Sequence, residues 1–154
     1  MKRIGIAVAM VFLALGWTLA QDHPEKQKTH PGFDALKSLA GEWTGVAAGG
    51  GDPAPMRVTY KVTSGGHVVM ETVFAGDPHE MVTMYYLDGD DLVLTHYCAM
   101  GNNPHMKAAP VTVEAGKPTE LSFTCTCAGT GLEGQKHMHL GELTVTDGKA
   151  IDSK

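Results

Sequence analysis

The chain has 154 residues, with 17 acidic against 12 basic side chains, a net charge of −5, and 43% apolar residues. That length suits one domain. Without Lys2 and Arg3 only ten basic residues remain and the charge falls to −7, with Arg57 the one arginine left. A chain this acidic has no basic stripe with which to hold a nucleic acid or an anionic membrane surface.

Residues 1–20 read as a secretory signal peptide. Lys2 and Arg3 form a basic start, residues 4–15 an apolar run, and Thr18-Leu19-Ala20 a small-residue cleavage site before Gln21. No later segment approaches the ~20 apolar residues that span a bilayer, so no stable membrane association is expected after cleavage. The expected location is exported, periplasmic or secreted. Such a compartment permits disulfides, but Cys98, Cys125 and Cys127 cannot all pair within one chain.

Residues 21–30 are polar and charged and read as a disordered leader. The folded domain is placed at residues 31–154. Pro31 opens a short helix in which Phe33, Leu36 and Leu39 recur at three-residue spacing, with Gly41 as its cap. Trp43 begins a strand that ends in the glycine-rich loop at 49–53. From Met56 the pattern has period two, with Val58, Tyr60 and Val62 alternating with polar residues. Ser64-Gly65-Gly66 turns the chain into a strand at 67–74 that is apolar on both faces over 68–70. Two alternating runs, 81–87 and 92–98, flank Asp88-Gly89-Asp90-Asp91, a strong hairpin signature. Gly101-Asn102-Asn103-Pro104 then makes a sharp turn. Further strands are expected at 111–114, 121–127 and 136–146, and Asp147-Gly148 opens another hairpin.

Short strands at regular spacing indicate an all-β fold, an antiparallel meander closing into a barrel. The last hairpin has little chain beyond it, which suggests that one or two closing strands are missing, because an uncovered edge invites association.

The segment FDALKSLAGEWTG, residues 33–45, resembles the entry to a lipocalin-like (calycin) barrel. In that family a short helix leads into a Gly-x-Trp motif, here Gly41-Glu42-Trp43, whose indole plugs one end of the barrel. Gly41 to Gly45 also resembles the start of the nitrobindin-type haem-binding barrels, with Ala47 in place of a further glycine. Over residues 33–146 the chain is similar to exported bacterial lipocalin-like domains of unknown function, which carry HEM…YxLDGDxLxLTHYCxxGNxP segments matching residues 79–104. The resemblance implies a fold and no reaction. Nitrobindin-type haem ligation uses a histidine near the C-terminus, in the part this chain is expected to lack.

Strand parity assigns the inward side chains. Leu92 and Leu94 carry His96 and Cys98 to one face. Leu121 and Phe123 carry Cys125 and Cys127, and Leu143 and Val145 carry His137 and His139. The leading expectation is an exported β-barrel that binds an apolar small molecule in its interior, lined by Val58, Tyr60, Leu94, His96, Cys98, Phe123 and Cys125. The alternative is a copper, zinc or haem site built from His96, Cys98, Cys125, Cys127, His137 and His139, helped by Met100, Met106 or Met138. The same cysteines also suit small core positions, or two of them one disulfide. An enzyme using His96 as base and Cys98 as nucleophile ranks third, because no acid–base or nucleophile constellation stands out and Cβ atoms at that spacing on one strand stand about 7 Å apart. His79-Glu80 lacks the second histidine of a metalloprotease helix, since position 83 is Thr. Asp88, Asp90 and Asp91 lack a full calcium loop. The oligomeric state is left open.

Overall fold

A computed structural model describes residues 28–48, 52–126, 128–146 and 150–153. The expected signal peptide, nearly all of the expected leader, Cys127 and the expected Asp147-Gly148 turn lie outside them.

One short helix, α1 (Pro31–Lys37), precedes the sheet. Pro31 suits its first turn because that position needs no N–H partner. The His30 ring accepts the Phe33 N–H at 3.3 Å, Asp34 lies in the first turn and Lys37 in the last, charges that complement the helix dipole. The helix ends at Ser38, whose Oγ donates to the Ala35 carbonyl at 2.6 Å. Gly41, expected as the cap, instead opens the first strand at φ +142. The chain turns only after Leu39 has been buried.

Nine strands follow among the described residues: β1 (Gly41–Ala47), β2 (Ala54–Thr63), β3 (Val68–Val73), β4 (Met81–Asp88), β5 (Asp91–Tyr97), β6 (His105–Ala108), β7 (Thr119–Cys125), β8 (Leu140–Thr146) and β9 (Ala150–Ser153). Each pairs antiparallel with the next, so spatial order is chain order, and the sheet curls into a half-barrel. The β4–β5 hairpin pairs Asp88 with Asp91 around a two-residue loop. Gly89 takes φ +63 at the first loop position, where glycine meets no steric cost.

The expected strand at 111–114 is not one. The strand lies earlier, at β6, and the ladder continues only to the Ala109 N–H, which donates to the Ser122 carbonyl at 2.8 Å. Pro110 has no N–H to offer next, so pairing stops there. Similarly, β8 starts at Leu140 rather than at 136.

The concave face holds the core. Phe33, Leu36 and Leu39 pack into one buried cluster with Tyr60, Val69, Tyr85, Leu92, Leu94, Met106, Leu121, Phe123, Leu143 and Val145. Helix α1 lies close against the strands. A Cβ on Gly32 would stand 2.9 Å from Leu121 Cδ2 and 3.0 Å from Val111 Cγ2.

Candidate functional site

Because neighbouring strands are in register, inward side chains form rows that cross the sheet. The second row runs Tyr60 opposite Glu71, Glu71 opposite Thr83, and Thr83 opposite His96. All four are buried. Glu71 accepts the Tyr60 hydroxyl at 2.6 Å on Oε1 and the Tyr85 hydroxyl at 2.8 Å on Oε2. Thr83 Oγ1 and His96 Nδ1 stand 3.0 Å apart. A carboxyl group inside a core is costly unless hydrogen-bonded, and two phenol donors, one per oxygen, meet that need here. Burial, and then the adjacent Glu71 charge, pushes both phenols well above the ordinary tyrosine value, so they remain donors. Burial also holds the His96 imidazole below the ordinary 6.5, favouring the neutral ring.

The first row lies beside this polar one. It runs Trp43 opposite Val58, Val58 opposite Val73, and Val73 opposite Met81. Cys98 follows, its thiol 3.9 Å from Met81 Sδ. All five are half-buried rather than sealed. The Trp43 indole is fixed by its N–H, which donates to the Leu39 carbonyl at 2.7 Å. The inner face therefore carries a half-open apolar row next to a sealed polar one.

The expected interior residues divide between these layers. Val58 and Cys98 belong to the half-open row, and Tyr60 and His96 to the polar row. Leu94 and Phe123 are sealed in the core at 3% and 2% exposure, Phe123 with its ring 5.7 Å from that of Tyr85. Cys125 is half-buried at the end of β7. His96 and Cys98 share a face but have different partners. His96 Nδ1 meets Thr83, while Cys98 Sγ meets Met81 Sδ and accepts the Met100 N–H at 3.5 Å.

Of the expected metal set, Cys125, His137 and His139 converge, with one donor atom from each lying within 4.8 Å of the others. His96 and Cys98 stand apart from that group, and Cys127 is outside the described residues. The acidic turn of the β4–β5 hairpin is used by lysines: Lys28 meets Asp90 at 2.8 Å and Lys107 meets Asp91 at 2.7 Å. His79 is exposed and bonds Asp77 at 3.1 Å.

Glu71 went unrecognised in the sequence because residues 67–74 read as a two-sided apolar strand. Its signal was parity, since it alternates with Val69 and Val73 on the inward side. Comparison with family models, with curated proteins and with solved structures returned no match. The class that the fold defines is thus an architecture alone: an antiparallel meander curled into a half-barrel, with one short helix.

Proposed function

We propose that this chain is an exported, calycin-like barrel domain that binds one small, largely apolar molecule on its inner face. The observation that carries this reading is the half-open row of Trp43, Val58, Val73, Met81 and Cys98 beside the buried row of Tyr60, Glu71, Thr83 and His96. Ligand sites combine an apolar lining with a few placed polar groups that orient the guest. Here the apolar row offers contact area, and the neutral His96 ring offers a hydrogen-bonding edge beyond its bond to Thr83. The ligand class that fits is an apolar skeleton bearing one hydroxyl or carbonyl group. Barrel closure along the curl, as in the calycin resemblance, would shield such a guest from water.

Trp43 makes the test simple, because the other tryptophan of the chain, Trp17, falls within the expected signal peptide. Titrating the processed, delipidated protein with a long-chain alcohol or a fluorescent apolar probe should shift Trp43 emission saturably. Met81→Glu should weaken the response at least about tenfold, an effect of about 1.4 kcal/mol. A saturable response of equal affinity in Met81→Glu and Val73→Glu would place binding elsewhere and remove the proposal.

A further inference from the structure

A separate cluster lies where β7 ends and the segment before β8 runs past it. Cys125 is the last residue of β7, and its backbone N–H donates to the His139 carbonyl at 2.9 Å. That bond sets His139 across from Cys125, and His137 lies two residues earlier in the segment that leads into β8. The two imidazoles lie close together and tilted, with centroids 4.2 Å apart and planes inclined by 38°. The Cys125 sulfur and a nitrogen from each ring fall within 4.8 Å of one another. An ion bound at roughly 2.3 Å to sulfur and 2.0 Å to nitrogen brings such donors to within about 3.5 Å of each other. That contraction is within the reach of side-chain rotation.

The hydrogen bonding of His137 also suits a ligand. Its Nδ1 lies 2.9 Å from the Gln135 carbonyl. A carbonyl only accepts, so Nδ1 carries a proton and Nε2 is the ring nitrogen left for an ion. Metal-ligating histidines are oriented in this way, with one ring nitrogen donating to a carbonyl and the other facing the ion. The surroundings are soft as well. Met106 pairs across from Cys125 in the β6–β7 ladder. A Cβ placed on Gly141 would stand 3.5 Å from Met138 Sδ and 3.9 Å from Met106 Cε, so both methionines reach the strand position next to the trio.

We propose that Cys125, His137 and His139 bind one monovalent copper ion, with a thioether of Met138 or Met106 at hand as a further donor. Thiolate, imidazole and thioether form the donor set that favours this ion over harder ones. Binding deprotonates the Cys125 thiol and releases that proton to solvent, so affinity rises with pH. Both Cys125 and His137 are half-buried and His139 is exposed, which leaves the ion a path from solvent. The site is separate from the apolar row and stands whether or not that row takes a ligand.

The test is anaerobic competition for Cu(I) between the full chain and a chromogenic chelator such as bicinchoninate. One equivalent should bind, and Cys125→Ser and His139→Gln should each weaken it by more than about tenfold. His79→Gln should leave it unchanged. His139 is exposed, so His139→Gln keeps the fold, and an unaltered circular dichroism spectrum checks this. Wild-type affinity retained in the Cys125→Ser, His139→Gln double variant would overturn the site. Preferential retention of Zn(II) when both ions are supplied would overturn the assignment to copper.

Discussion

Glu71 and its two phenol partners set the energetics at the scale of single residues. Both carboxyl oxygens are satisfied inside the core, at 2.6 and 2.8 Å. Replacing Glu71 by Leu would strand two buried hydroxyls, each costing about 1–3 kcal/mol. We expect Glu71→Leu to lower stability by about 2–4 kcal/mol in denaturant unfolding. Adding Tyr60→Phe and Tyr85→Phe to it should recover part of that loss, because the stranded hydroxyls go too. A triple variant less stable than Glu71→Leu would show that the three side chains do not act as one hydrogen-bonded unit. His96 gives a prediction in pH. Its folded value lies below the unfolded 6.5, so the unfolded chain binds the proton more readily. Its contribution is complete above about pH 6.5 and is lost as the pH falls from there towards the folded value. In wild-type minus His96→Gln stability measured across this range, the difference should shrink on acidification; a difference that stays flat would contradict the burial of a neutral ring.

Helix α1 and the strands it covers decide stability at the scale of elements. A methyl group on Gly32 would press against the side chains of Leu121, Val111 and Leu92. Gly32→Ala should therefore destabilise by about 1–3 kcal/mol, despite the better helix propensity of alanine. Leu36, fully buried beneath the sheet, should cost about 2–5 kcal/mol when cut to alanine. Thermal unfolding of both variants checks these values, and a Gly32→Ala protein as stable as wild type would mean that α1 does not sit where described. The β4–β5 hairpin and the start of α1 were legible in the sequence because their signals are local: a two-residue turn with glycine, and Pro31 ahead of spaced apolar residues. β6 was not, since four residues, His105–Ala108, are too short to show alternation and their pairing depends on β5 and β7. Parity did place His96, Cys125, His137 and His139 on one side. Which of them meet was set by the irregular path of residues 135–139, a long-range matter that spacing does not encode.

At the scale of the whole molecule, the curl of the sheet makes a single core and leaves its inner face unequal. The half of that face beneath α1 is sealed by Phe33, Leu36 and Leu39, whereas the row from Trp43 to Cys98 stays half-open. The proposed ligand site rests on that asymmetry rather than on the architecture, since one fold can host many activities. The most direct test is a chemical-shift map of the processed protein titrated with an apolar alcohol. Saturable shifts are expected at Trp43, Val58, Val73, Met81 and His96, with the outward residues of β7 and β8 unmoved. Shifts confined to the outer face, or none at saturating alcohol, would contradict it.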